Sequence, residues 1–563
     1  MNKYQNPMET AIGQVKHLLN NAVSKAMEKG TLPQAEIPDY VIEIPGDRKN
    51  GDFATNAAMA SARAFRMAPA KIASAIVAEM ELEGSYIERC EIAGPGFMNF
   101  YLSDSWYALV LDTVLCLKDD YGKTDMGKGK RILVEFVSAN PTGPMHIGNA
   151  RGGAIGDCLA SVLSAAGYET DREFYVNDAG NQINKFGMSL SLRYQQIYKS
   201  DIEMPEDAYH GQDIVDHANA FAAEYGDKYI ACSEEDRRAA LVAFALPKNI
   251  QGLEDDLKKY RITYDRWFRE STLHNSGAVT DVVKLLQDKG CTYENEGAIW
   301  FKATDFGADQ DFVLVRSNGV PTYVVPDIAY HYDKLVTRGY DKAIDVLGAD
   351  HHGYVPRLKA ALQALGADPD HLDVVLMQMV RLVRGGETVK LSKRSGKAIT
   401  LVTLLDEIPI DAARFFFNLR EANSHFEFDL DLAIEQSSQN PVYYVQYAYA
   451  RICQIEKGLA AKEVYPISDP DFTLLTAPEE RLLISHLAKL PDTVNDAAKN
   501  YDPSKMTRYV WDLAILFHKY YNACRVAVED EALMQARLSL CLAVRIAIEN
   551  VLSMLKVDTP ESM

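Results

Sequence analysis

The sequence lacks long apolar runs and paired cysteines, and these absences exclude several classes of protein. No run of 18 apolar residues occurs in the 563-residue chain, so no segment has the composition of a transmembrane helix. The eight cysteines are scattered and form no CxxC pair, which argues against a zinc site and against a disulfide framework. We therefore expect a cytoplasmic protein with reduced thiols, no membrane partner and no zinc.

The N-terminus is predicted to be an amphipathic helix rather than a signal peptide, because apolar residues recur at helical spacing between residues 11 and 23. The composition, 47% hydrophobic and 25% charged, is typical of a globular protein. A chain of this length exceeds one ordinary core, which predicts two to four domains.

The net charge of −20 argues mildly against a partner held only through its phosphates. The charge is unevenly distributed, however. From Pro441 to the end, 13 lysines and arginines face 16 aspartates and glutamates. That nearly neutral segment leaves room for a basic face, so the total charge does not decide the partner.

Three regions follow from the periodicity. Residues 1–118 mix helical patterns with short strands and predict a small α+β domain. In residues 119–405 strands alternate with helices, which predicts an α/β domain with a doubly wound parallel sheet, and the long, mostly helical stretch at about 190–300 predicts an inserted subdomain. Strand patterns are absent beyond residue 405, so residues 406–563 predict a helix bundle.

The central region contains two strand–loop–helix–strand units. In the first, the strand "ILVEFV" precedes a helix over 146–166 that ends at Gly167, and the strand "ETDREFYV" follows. In the second, the strand "AIDVLGA" precedes a helix that ends at Gly366, and "LDVVLMQMV" is the last strand.

The loop "NPTGPMHIGNARGG" places His146 at the N-terminus of the first of these helices. Free N–H groups and the positive dipole end make such a position an anion site, and the glycines leave the backbone open to a flat base or a phosphate. Neither GxGxxG after a strand nor GxxxxGK[ST] occurs. We therefore expect phosphates to meet His146 and the cations of "VKLSKRSGKAIT", although such a charge run is also typical of a solvated surface.

Two of these motifs resemble a known pair. The segment 146–149, HIGN, resembles the HIGH signature of class I aminoacyl-tRNA synthetases, and the segment 390–394, KLSKR, resembles their KMSKS loop. The resemblance narrows to the arginyl-tRNA synthetase family and covers essentially the whole chain, through "GDFATNAAM", "AGPGFMNF", "VEFVSANPTGP", "YVNDAGNQI", "TYVVPDIAYHYDK", "VLGADHHGYVPRLKAAL", "NPVYYVQYAYARI" and "VDTPESM".

The resemblance implies a Rossmann-type class I synthetase catalytic core, an N-terminal α+β domain that contacts tRNA and an all-α anticodon-binding domain. It implies that the arginine carboxylate attacks the α-phosphate of ATP to give arginyl-adenylate and pyrophosphate. The arginyl group then passes to tRNA(Arg), and AMP leaves. ATP would arrive with Mg²⁺ rather than meet a metal site in the protein. A monomer is the state typical of the family.

The resemblance also implies residue roles. The catalytic set would be His146, Asn149, Lys390 and Lys393. ATP would also contact Pro144, Gly148, Asp350 and His352. The α-amino end of arginine would lie near Glu135, Ser138 and Asn140, and its guanidinium near Tyr323 and Asp327. The tRNA would contact Phe97, Asn99, Tyr443, Tyr447 and Met563.

Several of these assignments have ordinary structural alternatives. Tyr323 and Asp327 could be a strand-end tyrosine and a helix cap. Phe97 and Asn99 could serve domain packing, and the tyrosines near residue 445 could be core residues. Asn149 departs from the last histidine of HIGH and cannot carry charge. Leu391 and Arg394 depart from the Met and Ser of KMSKS.

Three rival functions remain at this point. They are another class I synthetase, a nucleotidylyltransferase for small molecules and a non-catalytic RNA-binding paralogue. The missing cysteine pairs argue against a cysteine enzyme, and the extra terminal domains argue against a small-molecule enzyme. A paralogue would be expected to have lost His146 or Lys393, and both are present.

Overall fold

The structure is a computed structural model that describes residues 3–199, 201–389 and 399–563. Its N-terminal region is a four-stranded antiparallel sheet with helices packed against it, as the α+β prediction requires. The first helix begins where the Asn6 side chain accepts the Met8 N–H at 2.9 Å. The helical pattern that follows begins only at Ala57, because Phe53–Thr55 pairs as a strand. The elements are helices Pro7–Glu28 (α1), Ala57–Ala60 (α2), Ala62–Phe65 (α3), Pro69–Ala78 (α4) and Asp104–Leu117 (α5), and strands Ile42–Glu43 (β1), Phe53–Thr55 (β2), Ile87–Ala93 (β3) and Phe97–Leu102 (β4).

A five-stranded parallel sheet forms the centre of the chain. Its strand order is β12-β11-β5-β6-β7, with β5 in the middle. All four strands predicted for the two units are present, and both predicted helices agree within two residues. These elements are strands Arg131–Phe136 (β5), Glu169–Val176 (β6), Arg266–Arg269 (β7), Lys342–Gly348 (β11) and Leu372–Met377 (β12), with helices Ile147–Ala165 (α6), Val324–Tyr332 (α12) and Val355–Leu365 (α13).

Helix α6 packs directly on β5. A Cβ on Gly156 would come within 2.2 Å of the Phe136 side chain, so only glycine allows this approach. The helix ends at Gly167, where φ is +88° and a Cβ would meet the Thr124 carbonyl at 2.7 Å. These two glycines set the position and the length of the helix.

The segment predicted as a helical insertion differs from that prediction in two ways. Strand β7 lies inside it and completes the parallel sheet, and a separate three-stranded antiparallel sheet follows the helices. The elements are helices Gly180–Gln196 (α7), Gln212–Tyr225 (α8), Glu234–Lys259 (α9), Glu270–Ser276 (α10) and Ala278–Asp288 (α11), and strands Thr292–Asn295 (β8), Ala298–Phe301 (β9) and Phe312–Val315 (β10).

The expected absence of strands beyond residue 405 is wrong. Phe426–Asp429 (β15) pairs in parallel with Val380–Arg384 (β13), which also pairs with Glu387–Thr388 (β14). Phe426 and Phe428 are buried while Glu427 points outward, so a short alternating stretch had the burial pattern of a strand. The flanking helices are Leu401–Glu407 (α14), Ile410–Phe417 (α15) and Leu430–Ile434 (α16).

The C-terminal region is the predicted helix bundle. Its last helix is long and apolar enough to cross a membrane, but 67% of the apolar window is buried, as in a core helix. On the preceding helix, Val510, Leu513 and Phe517 are buried, whereas Tyr521 is exposed. The bundle helices are Pro441–Ala460 (α17), Pro478–Leu487 (α18), Leu490–Asn500 (α19), Ser504–Ala523 (α20) and Glu531–Leu555 (α21).

A buried arginine joins the bundle to the central sheet. Arg414 on α15 is fully buried and donates to Asp157 Oδ2 on α6 at 2.5 Å. It also donates to the carbonyl of Leu555 at 2.8 Å and to that of Tyr260 at 3.0 Å. Asp157 lies on α6 and Leu555 ends the last helix of the chain. Because breaking a buried ion pair is costly, these contacts fix the two helices relative to each other.

Candidate active site

The site lies at the carboxyl edge of the parallel sheet, where open α/β sheets bind their ligands. The loop after β5 leads to α6, and Asp350 and His352 follow β11. A cavity of about 750 Å³ opens beside the mouth of α6. It is lined by His146, Ile147, Gly148, Met379, Val380, Arg381, Leu382, Thr388, Val389, Ile399, His425, Phe426 and Glu427.

His146 and Asn149 form a reciprocal cap at the start of α6. The Nδ1 atom of His146 accepts the Gly148 N–H at 3.0 Å, and Oδ1 of Asn149 accepts the His146 N–H at 3.1 Å. An accepting Nδ1 places the proton of the neutral ring on Nε2, which remains available as a donor on the exposed side of the ring. Asn149 therefore has a structural role at the helix mouth that the motif comparison did not predict.

The helix mouth is also tied to the segment that follows residue 398. His146 and Thr400 form an antiparallel bridge. The Ile147 N–H donates to the Ile399 carbonyl at 3.2 Å, and the Leu401 N–H donates to the Met145 carbonyl at 2.9 Å. Lys390 and Lys393 lie outside the described residues.

The backbone just after β5 is strained. Val137 and Ser138 have φ values of +69° and +41°, a region that β-branched residues rarely adopt. The Ser138 hydroxyl holds this turn, because it donates to Glu135 Oε1 at 2.8 Å and accepts the Tyr175 N–H at 3.1 Å. The turn leaves Asn140 exposed beyond it.

Glu135 is already paired inside the protein. Its Oε2 accepts from the fully buried Lys334 at 2.5 Å, and Lys334 also donates to Asp345 at 2.9 Å. His331 binds the other oxygen of Asp345 at 2.6 Å. Glu135, His331 and Asp345 have the ligand types of a metal site, but the Lys334 ammonium lies among them.

Asp327 contrasts with Glu135. Its carboxylate is largely enclosed and accepts from the Tyr354 hydroxyl at 2.5 Å, and no lysine or arginine among the described residues forms an ion pair with it. Burial raises the pKa of Asp327 to about 6, and the nearby Glu135 and Glu270 carboxylates add to the rise, against the Tyr354 hydrogen bond. His331 also opposes this rise in the pKa of Asp327, so the pocket holds an acid that has a histidine nearby but no lysine or arginine paired with it.

Tyrosines surround this acid. Tyr323 is 71% exposed, and its ring stacks near that of Tyr354 with centroids 6.2 Å apart and planes at 26°. Burial holds the pKa of the Tyr175 phenol well above its usual value, and the carboxylates of Glu270 and Asp327 raise that pKa further. Tyr323 and Asp327 are thus brought together at an opening lined by aromatic rings and acids.

Sequence reasoning missed three members of this cluster: Lys334, Tyr354 and Glu270. Tyr354 directly precedes a helix and fits the apolar pattern of that helix. Lys334 follows "DIAYHYD" and resembles any other charged residue at a helix end. The residues beside Lys334 gave no signal, because Asp333 and Leu335 are only partly buried and the lysine follows an acid as in many exposed segments. Glu270 gave no signal, because its neighbour in space, Tyr175, is 95 positions away.

The remaining predicted contacts are more dispersed. Pro144 is exposed at the loop before the helix, and Asp350 and His352 are exposed beyond β11. Asn99 is only 5% exposed, so its side chain is almost inaccessible in the free chain, whereas Phe97 is half-buried. Met563 is 44% exposed.

Tyr443 and Tyr447 form part of an aromatic surface on the bundle. Their rings are parallel within 7°, with centroids 6.3 Å apart. The Arg451 guanidinium lies 4.6 Å from the ring centroids of both Tyr447 and Tyr521. Tyr449, in contrast, is buried and belongs to the core.

Comparison with known proteins decides the family. Three family models match in succession: the arginyl tRNA synthetase N terminal domain at 13–102, the catalytic domain of class I (R) tRNA synthetases at 110–429, and the DALR anticodon binding domain at 445–563. The arginine–tRNA ligase of Acetivibrio thermocellus is 49% identical over 562 residues, which cover 99% of this chain and 100% of the relative. That of Caldanaerobacter subterraneus is 52% identical over 561 residues, which cover 99% and 100%. The chain belongs to the arginyl-tRNA synthetase family.

This arginyl-tRNA synthetase is a class I enzyme, an arginine–tRNA ligase whose substrates are arginine, ATP and tRNA(Arg). The predicted family, fold class and activity are therefore confirmed. The arginyl-tRNA synthetase of Thermus thermophilus has the same fold, with a TM-score of 0.74 at 21% identity, over 97% of this chain and 100% of that one.

The raised pKa of Asp327 predicts an unusual stability profile for the ligand-free synthetase. A carboxyl whose pKa rises from 3.8 to about 6 on folding stabilises the folded state most below pH 4, and that contribution is lost as the pH rises through 6. Asp327→Asn should therefore raise the midpoint of thermal unfolding at pH 7.5. The corresponding gain in the free energy of unfolding should be up to about 3 kcal/mol. The gain should shrink steadily as the pH falls towards 4.

Asp350→Asn is the matched control, because the Asp350 side chain is 85% exposed and its removal should leave the midpoint unchanged. An Asp327→Asn variant that melts below the parent protein at pH 7.5 would contradict the prediction.

Proposed function

We propose that the cleft at the carboxyl edge binds the guanidinium of arginine at Asp327 and ATP in the cavity beside His146, so that the two reactants meet at the mouth of α6. The proposal rests on the Asp327 carboxylate, which forms no ion pair with any lysine or arginine among the described residues. A permanently charged guanidinium would supply the missing cation, and its planar donors match a carboxylate in two parallel hydrogen bonds.

The side walls of the pocket suit this ligand. The exposed Tyr323 ring offers a face to the guanidinium plane, and Glu270 lies near enough to raise the pKa of Asp327. Lysine would leave buried acceptors unpaired, an effect that can give about 10⁴-fold discrimination. A separate editing site is therefore not needed for this substrate.

The α-amino end of arginine would lie at Asn140, which is exposed just beyond the strained turn. Ser138 and Glu135 would support it indirectly. Ser138 holds the turn, and Glu135 keeps negative potential beneath it while paired with Lys334. This refines the predicted contacts, because both Glu135 oxygens are already hydrogen-bonded.

ATP would place its phosphates at the helix mouth. His146 Nε2 would donate to the phosphate charge that develops during adenylate formation, Gly148 would lie under adenine, and Asn149 would add a contact from its amide. Pro144, Asp350 and His352 would border the nucleotide. Lys390 and Lys393 would act on the pyrophosphate side, with Mg²⁺ bound to ATP and no zinc involved.

The tRNA would span the terminal domains. Phe97 would meet its D-loop, and Asn99, which is only 5% exposed, would support this contact from beneath the surface. Tyr443, Tyr447 and Met563 would face the anticodon loop, where aromatic rings stack on unpaired bases. We divide the chain into domains at 1–118, 119–405 and 406–563, with an insertion at about 190–300. We expect a cytoplasmic monomer.

Pyrophosphate exchange with each of the twenty amino acids, with and without total tRNA, tests the substrate assignment. We expect exchange with arginine alone, and only when tRNA is present. The Asp327→Asn variant should lose this exchange, although its fold is retained. Exchange with another amino acid, or full exchange by Asp327→Asn, would overturn the pocket assignment.

Asn149→Asp separates the two roles of residue 149. An aspartate keeps the Oδ1 acceptor for the His146 N–H and favours the positive end of the helix, so thermal stability should be unchanged or slightly higher. It places negative charge beside the phosphates, however, so KM for ATP should rise about tenfold or more while KM for arginine changes little.

Steady-state kinetics with each substrate varied in turn measure this split. Asn149→Ser, a neutral residue that can also cap, is the control. Unchanged KM for ATP in Asn149→Asp would leave residue 149 with its capping role alone.

Tyr447→Ala tests the anticodon surface. Because Tyr447 is half-exposed and stacks beside Tyr443, its removal should weaken tRNA binding by about 1–3 kcal/mol per lost base contact with a small loss of stability. Tyr449→Ala, two positions away in the core, should show the reverse. Filter binding of labelled tRNA and thermal unfolding compare the two, and equal tRNA affinity of Tyr447→Ala and the parent would contradict the assignment.

A further inference from the structure

Arg151 is fully buried in the fifth position of α6, one turn beyond the His146 cap. None of its hydrogen-bond partners among the described residues is a carboxylate. Its guanidinium donates to three backbone carbonyls: Gln378 at 2.7 Å, Ser424 at 3.1 Å and Glu421 at 3.0 Å. Burial alone lowers the pKa of Arg151 to about 10. Burying a cation is costly, so a buried arginine bound only to carbonyls calls for an explanation.

The three carbonyls belong to two turns that border the nucleotide cavity. Gln378 lies between β12 and β13, directly before the Met379–Leu382 wall. Glu421 and Ser424 lie in the turn directly before His425–Glu427, which lines the cavity from the neighbouring strand, where Phe426 pairs with Val380.

Other contacts keep these two turns together. The Gln378 N–H donates to the Ala422 carbonyl at 2.9 Å, and β13 pairs with β15. The Phe426 ring, which lines the cavity from β15, lies 5.6 Å from the Arg151 guanidinium. The Arg151 side chain therefore donates to both turns. Arg151 lies on α6, the helix that also presents His146 and Gly148.

We infer that Arg151 is a positioning residue for ATP: by bonding both turns to α6, it holds the wall formed by the paired strands β13 and β15 in a fixed position relative to His146. The inference rests on the proposed placement of ATP in this cavity. A planar fork with five donors can reach two turns at once, whereas a lysine ammonium is a single point charge on a flexible stem. Arg151→Lys should therefore keep the positive charge but lose the simultaneous hydrogen bonds to both turns.

The test compares aminoacylation kinetics of Arg151→Lys and Arg151→Ala with ATP and arginine varied in turn. We expect KM for ATP to rise about tenfold in Arg151→Lys and further in Arg151→Ala, with KM for arginine within about threefold of the parent value. If Arg151→Ala does not fold, the lysine variant decides the outcome.

Arg414→Lys is the matched control for stability. Arg414 is equally buried and also donates to backbone carbonyls, but its partners Leu555, Tyr260 and Asp157 do not line the cavity. The Arg414→Lys substitution should lower the unfolding midpoint without a selective rise in KM for ATP. If Arg151→Lys shifts both KM values by the factor seen in Arg414→Lys, or shifts neither, Arg151 is a core residue only and the inference is overturned.

Thr388→Trp separates this inference from the proposal beneath it. Thr388 is exposed on the cavity rim, so a bulky ring there should narrow the cavity without disturbing the fold. A raised KM for ATP in Thr388→Trp with no effect in Arg151→Lys overturns the role of Arg151 alone. An unchanged KM for ATP in Thr388→Trp removes ATP from the cavity and overturns both.

Discussion

The close packing of α6 on β5 is the constraint on which the whole site depends. Gly156 lets the helix lie against Phe136, because it has no Cβ to meet that side chain. A helix fixed in this way has a fixed N-terminus, so the donors at its mouth are held in place before any ligand binds. If ATP binds there as proposed, these donors would need no reorganisation when charge develops on a phosphate.

The two ends of the cleft have opposite electrostatic character. The surroundings of Asp327 gather carboxylates and phenols and pair the acid with no lysine or arginine, whereas the helix mouth offers N–H groups, a dipole end and an imidazole donor. The turn at Val137 and Ser138 separates the two regions by only a few residues. Its strained backbone is tolerated because Ser138 bonds both β5 and β6. Opposite charges can thus be kept close without neutralising each other.

Much of this arrangement could be predicted from the sequence. The strands beside His146 and Asp350 are mainly apolar, each with a single acid, Glu135 or Asp345, among the apolar residues, and Gly167 and Gly366 mark helix ends, so the parallel sheet follows from local pattern. The small sheets did not follow, because β7 and β15 are short and gain their stability from partners far away in the chain. The same reason hid Glu270, Lys334 and Tyr354: their importance comes from what they touch, which spacing along the chain does not reveal. Asn149 was recognised as a departure from HIGH, but its capping role needed coordinates.

If Asp327 binds the guanidinium as proposed, recognition of the amino acid is also a proton-linked event. With a pKa of about 6 in the empty pocket, the carboxyl must be ionised before it can face a guanidinium. Below that pH each bound arginine displaces a proton into the solvent, and the dissociation constant worsens about tenfold per unit of pH. Lowering the pH below 6 would therefore raise KM for arginine under this proposal, and an ample supply of arginine would offset the loss.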